Sequence, residues 1–266
     1  MPGEIYVSEL ANRIVIVTGA AHGIGRSIAE HLYRAGARVV LADVDVDSAA
    51  RVANRLGPRS IACQVDVTDE EAVQQLVATT LRQFGGIDAL VNNAAITGNS
   101  ALPHGGPILD IPVDQWRHML DVNLTGAFIC AKYVGREMAR AGQGNIVNIA
   151  SIQGVYATRL SGDYSTAKAG LIMLTRVLAG ELAEYGIRVN AIAPGPIDTA
   201  DLAASAPPAR TSATLLGRSG LPAEVAEAVL FLISDRSSFV DGELLMVDGG
   251  SGIRFREAPH LERAPP

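Results

Sequence analysis

The sequence predicts an α/β protein built on a doubly wound parallel sheet, with helices on both faces. Short apolar runs rich in Val and Ile alternate with segments whose apolar residues recur at helical spacing. The first run, residues 14–17, leads into a glycine-rich turn, and an amphipathic segment follows at residues 27–33. Strands and helices that alternate at this interval specify parallel strands, and ligands bind at the carboxyl ends of such strands.

Length and composition restrict the classes of function. The chain has 266 residues, of which 48% are apolar and 19% charged, and its formal net charge is −6. It contains no basic run, no internal repeat and no second apolar core. We therefore expect a single domain over residues 1–266 that binds a small molecule, and we do not expect a nucleic acid or a membrane as a partner.

Cysteine usage and hydropathy bear on the compartment. Cys63 and Cys130 lie in apolar surroundings without metal-ligand spacing, so the sequence predicts buried thiols and no metal site. No uninterrupted apolar run approaches the length of about 18 residues that marks a membrane-spanning helix. We expect a cytoplasmic protein.

The glycine-rich turn is the first candidate binding site. Gly19, Gly23 and Gly25 permit a sharp turn and the close approach of a pyrophosphate to main-chain N–H groups. The helix that follows offers unpaired donors and a partial positive charge at its N-terminus. Glycine also favours tight strand-to-helix turns in general, so this motif alone leaves dinucleotide binding open.

An acidic residue, Asp43, closes the second predicted strand. A carboxylate about 20 residues beyond a glycine turn is placed to accept hydrogen bonds from the adenosine ribose, and it repels a 2′-phosphate. The alternative is a helix cap, which we favour for Asp45 and Asp47. No Lys or Arg follows Asp43, which indicates NAD, but His22 and Arg26 could attract a phosphate, so NADP stays open.

Two further strands are predicted at residues 59–65 and 87–91. Asp66 follows the first of them and Asn92 follows the second. Because the carboxyl ends of parallel strands meet at one edge of the sheet, both residues are expected to lie near Gly19.

The middle of the chain adds an amide and a hydroxyl. A polar connection at residues 96–112 is followed by a predicted helix at residues 113–132, which contains Asn123. That amide is either a satisfied polar group of the core or part of a proton path. A fifth predicted strand, residues 144–150, ends at Ser151.

Tyr164 and Lys168 lie four residues apart at the head of a helical run that continues over residues 169–185. This spacing places both side chains on one helix face. A cation within about 4–6 Å can lower the pKa of a phenol by about 1–3 units, which would make Tyr164 a general base. The alternative is an exposed pair that contributes a few tenths of a kcal/mol to the helix.

The last third of the chain completes the pattern. Strands are predicted at residues 186–193 and 243–247, and a helix at residues 222–234. The weakly patterned segment at residues 197–219 is a candidate substrate lid. The charged, proline-rich tail at residues 254–266 is expected to be a flexible end or a subunit arm.

Taken in order, these segments closely resemble the short-chain dehydrogenase/reductase family over residues 12–250. The motifs that carry the resemblance are Thr18-Gly19-Ala20-Ala21-His22-Gly23-Ile24-Gly25, Asp66-Val67, Asn92-Asn93-Ala94-Ala95, Asn123, Ser151, Tyr164 with Lys168, and Pro194-Gly195. The resemblance implies a Rossmann-type sheet of about seven parallel strands in the order 3-2-1-4-5-6-7, and a homotetramer.

The resemblance also implies a set of cofactor contacts. Gly19, Gly23 and Gly25 would form the pyrophosphate turn, and Asp43 would select NAD. The other contacts that it implies are His22, Ile24, Asp66 and Val67 (the last two at the adenine), Asn92, Ala94, Tyr164, Lys168, Pro194, and Ile197 with Thr199 at the nicotinamide carboxamide. Ala95 replaces a glycine often found in the family, and His22 stands where related chains have a small residue or, in NADP users, a basic one.

Four residues receive catalytic roles from the resemblance. Tyr164 would exchange the proton, and Ser151 would polarise the substrate oxygen. Lys168 would hold the nicotinamide ribose and assist Tyr164, while Asn123 would support a water-linked proton relay. The spacing of Ser151 and Tyr164 agrees with this, because a strand end and the start of the next helix can face one cleft.

The resulting hypothesis is an oxidoreductase that transfers a hydride between NAD(H) and a secondary alcohol or ketone. One alternative is an NADP(H)-dependent carbonyl reductase of the 3-oxoacyl type. Another is a nucleotide-sensing protein without catalysis, although such a protein is expected to have lost Ser151, Tyr164 or Lys168. The sequence leaves the substrate open among polyols, sugars, hydroxy acid derivatives and cyclic secondary alcohols.

Overall fold

The computed structural model describes residues 9–97, 106–199 and 213–253. Seven parallel strands form one sheet in the order β3-β2-β1-β4-β5-β6-β7. The strands are β1 (Ile14–Thr18), β2 (Arg38–Asp43), β3 (Ser60–Gln64), β4 (Ala89–Asn92), β5 (Gly144–Ile149), β6 (Ile187–Pro194) and β7 (Leu244–Val247). The helices are α1 (Gly23–Arg34), α2 (Val46–Leu56), α3 (Glu70–Phe84), α4 (Val113–Leu120), α5 (Gly126–Ala141), α6 (Gly162–Leu182) and α7 (Pro222–Ile233). The predicted fold class and strand order are confirmed.

Each central strand is buried on both faces, which explains why the strands are continuous apolar runs. In β1, Val15 and Val17 point into one helix layer and Ile16 points into the other, because successive side chains of a strand alternate. The first layer contains α1, α2 and α7, and the second contains α3, α5 and α6. The sheet is therefore a rigid platform between two apolar cores.

The strand order creates the crevice in which ligands of such folds bind. β1 pairs with β2 on one side and with β4 on the other. The connections that leave β1 and β4 thus run to opposite faces of the sheet, and their carboxyl ends separate. The glycine turn after β1 and the Asn92-Asn93 pair after β4 lie at this point.

One predicted helix differs from the structure. The sequence predicts a continuous helix over residues 113–132, whereas the structure has α4, a π-helical turn at Asp121–Thr125 and then α5. A π turn adds one residue to a helical turn and is common at functional sites. The helical pattern of apolar residues continues through this turn, so the sequence shows no sign of it.

Some predictions lie outside the described residues. These are residues 98–105 of the predicted 96–112 connection, the 200–212 part of the candidate lid and the tail at residues 254–266. None of the helices in the described part of the chain is long and apolar enough to cross a membrane. Within the same ranges, no group of three or more His, Cys, Asp and Glu side chains is arranged to hold a metal ion.

Candidate active site

A cleft of about 790 Å³ runs along the carboxyl edge of the sheet. Most of the residues predicted for the site contribute to its wall. They are Gly19, His22, Gly23, Ile24, Gly25, Asp43, Asp66, Val67, Ala94, Ser151, Tyr164, Lys168, Pro194, Ile197 and Thr199. Segments that are more than a hundred residues apart in sequence therefore form one continuous surface.

The glycine turn is closed too tightly for side chains. A Cβ at Gly25 would lie 2.0 Å from the Gly19 carbonyl oxygen, and Gly19 has a φ of +63°. The Asn93 side chain holds the turn, because its Nδ2 donates to the carbonyls of Thr18 at 3.0 Å and Gly19 at 2.9 Å. The turn thus brings the N-terminus of α1 to the cleft at a fixed position.

This turn fits a pyrophosphate. Gly23 begins α1 with a φ of +52°, and a Cβ there would reach no closer than 3.5 Å to Thr199 across the cleft. The N–H groups of the first helical turn lack partners within the helix and point toward this space. An anion bound in the cleft beside the start of α1 would receive these donors.

Asp43 is oriented by two main-chain donors. Its Oδ2 accepts from the Ala21 N–H at 2.8 Å, and its Oδ1 accepts from the Asp45 N–H at 3.0 Å. Each carboxylate oxygen keeps a further lone pair, so Asp43 can also accept hydrogen bonds from the hydroxyls of a ribose. Asp45 caps α2, as the sequence predicts, through a bond from the Ser48 N–H to its Oδ1 at 3.1 Å.

Ser151, Tyr164 and Lys168 meet at the other end of the cleft. Ser151 follows β5, and the other two residues lie on one face of the first turns of α6. The Lys168 Nζ lies 5.7 Å from the centroid of the Tyr164 ring and donates to the Ile149 carbonyl at 2.9 Å. The Ser151 Oγ accepts from the Gln153 N–H at 3.1 Å. Hydroxyl, phenol and ammonium groups therefore share one small region.

Burial dominates the electrostatics of the two ionisable groups. Lys168 is 2% exposed, and burial lowers the pKa of its ammonium from 10.5 to about 7. Burial also raises the pKa of the Tyr164 phenol, and a hydrogen bond with Ser151 acts in the opposite direction. The sequence predicts that the Lys168 cation lowers the pKa of the Tyr164 phenol. In the protein without cofactor, desolvation has the larger effect on the pKa values of both groups.

Asn123 lies behind the cleft wall, in the π-helical turn. Its Nδ2 donates to the Ile96 carbonyl at 3.2 Å and to the Met119 carbonyl at 3.1 Å. Its Oδ1 is buried and finds no hydrogen-bond partner among the described residues. A buried unsatisfied acceptor is costly, and a bound water commonly satisfies such an atom.

Asn92 does not point where the sequence analysis expected. Its Nδ2 donates to the Ala127 carbonyl at 3.2 Å and to the Asn148 Oδ1 at 2.9 Å, so the side chain is buried between β4, β5 and α5. Its neighbour Asn93 lines the cleft instead. Because adjacent residues at a strand end face opposite ways, a shift of one residue decides which amide reaches the site.

Sequence reasoning also missed several residues of the cleft wall. Among them are His118 and Val122, which are four residues apart on consecutive helical turns, and Val44 after β2. The spacing of His118 and Val122 was a usable signal, since it places both side chains on one face. Without the fold, nothing indicated that this face turns toward the cleft.

Comparison with known proteins agrees with this geometry. The family described as "Enoyl-(Acyl carrier protein) reductase" matches residues 19–252. The chain is 44% identical over 247 residues to a cis-4-hydroxycyclohexanecarboxylate dehydrogenase of Sinomonas cyclohexanicum, an alignment that covers 90% of this chain and 96% of the relative. It is 39% identical over 251 residues to an NAD-dependent glycerol dehydrogenase of Listeria innocua, with 92% and 96% covered.

A solved structure shares the fold. The crystal structure of gox2181 superposes with a TM-score of 0.83 at 35% sequence identity and covers 92% of this chain and 97% of that one. The family match spans the glycine turn and the Ser151, Tyr164 and Lys168 region. The chain therefore belongs to the short-chain dehydrogenase/reductase family and is an NAD(P)-dependent oxidoreductase that acts on CH–OH groups.

Proposed function

We propose that this protein oxidises a secondary alcohol with NAD, and reduces the ketone in the reverse direction, with Tyr164 as the general acid and base. The observation that carries the proposal is the meeting of Ser151, Tyr164 and Lys168 at one end of the cleft that holds the glycine turn at its other end. A dinucleotide that extends from the glycine turn would bring its redox-active ring to these three residues.

The roles of Ser151 and Tyr164 follow from their hydrogen bonds. The Ser151 Oγ already accepts from the Gln153 N–H, so its own hydrogen is left to donate, either to the Tyr164 oxygen or to a substrate oxygen bound beside it. The phenol of Tyr164 lies within hydrogen-bond reach of the same hydroxyl. A substrate oxygen held by Ser151 would thus lie next to the group that gives or takes its proton.

Lys168 supplies the compensating charge. One of its three N–H donors is used by the Ile149 carbonyl, which leaves two for the ribose hydroxyls of the cofactor and for water. Hydrogen bonds to an ammonium favour its charged form, so bound hydroxyls would raise the Lys168 pKa again and stabilise a phenolate at Tyr164. The nicotinamide, when bound, accepts or supplies the hydride, and the protein supplies position and charge.

Asn123 is proposed to hold a water of the proton path. Its unpartnered Oδ1 supports this role, because that acceptor needs a donor that the described protein groups do not supply. The π-helical turn packs against α6, the helix that carries Lys168, so a water bound to Asn123 would lie near one end of such a path. The alternative role of Asn123, a fully hydrogen-bonded polar group of the core, is less favoured because its Oδ1 has no partner among the described residues.

NAD is the proposed cofactor in preference to NADP. The oriented carboxylate of Asp43 accepts ribose hydroxyls and repels a phosphate on the same ribose. The similarity to an NAD-dependent glycerol dehydrogenase supports the same choice.

An alicyclic secondary alcohol is the proposed substrate class. Support comes from the 44% identity to a dehydrogenase of a hydroxycyclohexane carboxylate. The loop after Ser151 also exposes three apolar side chains, Val155, Tyr156 and Leu160, which would suit a hydrocarbon ring that extends from the cleft onto this loop. Glycerol has no hydrocarbon ring that could pack against these side chains.

Initial rates with a defined substrate panel test the proposal. We expect NADH formation from cyclohexanols, with and without a ring carboxylate, at a kcat/KM well above that for glycerol, and higher with NAD than with NADP. Reduction of a 3-oxoacyl thioester by NADPH as the best activity would favour the carbonyl reductase alternative. Tight NADH binding with no turnover of any substrate would favour a nucleotide sensor.

We also propose a homotetramer in the cytoplasm. Exposed apolar side chains on the outer faces of α5 and α6, at Phe128, Met173 and Val177, support assembly. Free thiols at Cys63 and Cys130 agree with a reducing compartment.

A further inference from the structure

His22 and Asp45 form a bridge across the adenosine end of the cleft. The His22 Nε2 donates to the Asp45 Oδ2 at 3.1 Å. His22 belongs to the glycine turn between β1 and α1, whereas Asp45 belongs to the turn between β2 and α2. The bridge therefore connects the two turns that flank the candidate ribose site.

Hydrogen bonds from Ser48 hold the Asp45 carboxylate in place independently of the His22 imidazole. Its Oδ1 accepts from the Ser48 N–H at 3.1 Å, and its Oδ2 accepts from the Ser48 hydroxyl at 2.5 Å. The hydrogen bonds from Ser48, followed by that from His22, lower the pKa of Asp45 to about 2. Asp45 is thus an anion at neutral pH that is held toward His22.

The bridge lies beside the residue that is expected to bind the ribose. The Asp45 N–H donates to the Asp43 Oδ1, and the Ala21 N–H, next to His22, donates to the Asp43 Oδ2. Asp43 and His22 both line the cleft. A phosphate on a ribose hydroxyl at Asp43 would meet two carboxylates and an imidazole that is already engaged.

Arg26, the arginine near this turn, is also close to a carboxylate. The Arg26 Nε lies 4.0 Å from the Glu30 Oε1 on the same face of α1. His22 lines the cleft and Arg26 does not contribute to its wall, so His22 is the basic group at this turn that is best placed to reach such a phosphate.

We propose that Asp45 helps to exclude NADP(H) by holding the His22 imidazole, which would otherwise bind a phosphate on the adenosine ribose. This inference rests on the proposed function, because it concerns the cofactor of the same site. Asp43 would repel the phosphate of NADP(H) directly, and Asp45 would select against NADP(H) indirectly, through the His22 side chain.

Direct binding of reduced cofactors to the full chain tests this, because the fluorescence of NADH and NADPH requires no substrate. The variant is Asp45→Asn, which keeps the cap on α2 and removes the charge. The released His22 imidazole is expected to bind the phosphate and to tighten NADPH binding by at least about tenfold, while the Kd of NADH stays within about twofold.

Two controls separate the mechanism from a general charge effect. In the double variant His22→Asn with Asp45→Asn, most of the gain in NADPH affinity should be lost. Asp47→Asn removes the same charge two residues away, from a side chain that makes no described bond to His22, and should leave the NADPH Kd near that of the unchanged protein.

Two results would overturn the inference while the proposed function stands: no gain for NADPH in Asp45→Asn, or a full gain in the double variant. An unchanged protein that binds neither cofactor would overturn the proposed function, and this inference with it.

Discussion

At the scale of single residues, the central feature is a lysine buried without a carboxylate partner in the described structure. Burial penalises the ammonium of Lys168, and the Ile149 carbonyl is a neutral acceptor. A protein that keeps such a group at a cost in stability has a use for it, and the cleft beside Tyr164 provides one. At this position the buried ammonium serves the chemistry of the site but lowers the stability of the unliganded fold.

Replacing Lys168 by Met should show this opposition. The folded-state pKa of about 7 lies below the unfolded value of 10.5, so the unfolded chain binds more protons between these values and stability rises with pH. Lys168→Met removes the penalty and should raise the Tm of the protein without cofactor by roughly 2–8 °C at pH 7, with a smaller gain above pH 10. Turnover should fall by about 10²–10⁴.

Thermal unfolding at both pH values, combined with steady-state rates, checks this prediction. Lys168→Arg is the matched control, since it keeps a charge and should not gain stability at pH 7. A Met variant that is less stable than the unchanged protein at pH 7 would show that the Nζ hydrogen bond outweighs the cost of burying the charge.

At the scale of elements, sequence patterns predicted what depends on periodicity and missed what depends on one residue. Strand ends were predictable because buried parallel strands are apolar runs that stop at polar or glycine residues. The π turn at Asp121–Thr125 was not, since it adds a residue without changing the apolar pattern. The sequence pattern also could not decide whether Asn92 or Asn93 reaches the cleft, because both are amides at the end of the same strand.

The turn between β1 and α1 yields an element-scale prediction. A Cβ at Gly25 would lie 2.0 Å from the Gly19 carbonyl oxygen and 2.4 Å from the Asn93 Nδ2, so Gly25→Ala must open the turn. We expect a loss of about 2–4 kcal/mol of stability and the loss of measurable NADH binding.

Gly180→Ala on α6 is the control, because nothing lies within 4 Å of a Cβ there. Replacing an exposed helical glycine should stabilise the protein by about 0.5–1 kcal/mol and leave NADH binding unchanged. Denaturant unfolding and cofactor titration of both variants measure the two effects. Normal NADH binding by Gly25→Ala would contradict the pyrophosphate role of the turn.

At the scale of the whole molecule, the alternation of strands and helices was sufficient to predict the sheet, and the resemblance gave its order. The site followed because parallel strands end at one edge. The His22–Asp45 bridge and the burial of Tyr164 and Lys168 could not be predicted, since each depends on side chains brought together from separate elements. The single-domain, lid and tail assignments stay predictions.

The proposed assembly makes a prediction at this scale. Met173 is 55% exposed on α6, and a charge there would be buried without a partner if this face packs against a second copy. Met173→Glu should reduce the mass measured by light scattering from a tetramer to a smaller species. An unchanged mass would exclude the outer face of α6 from the subunit interface.

The central claim is that Tyr164 transfers the substrate proton beside a bound nicotinamide. Its most direct measurement is the steady-state rate of Tyr164→Phe, together with the Kd of NADH, on the best substrate of the panel. The substitution removes one oxygen and keeps the ring, so we expect kcat to fall by about 10²–10⁴ while the Kd stays within about threefold. A Tyr164→Phe protein that binds NADH normally and retains more than a tenth of its turnover would contradict the account.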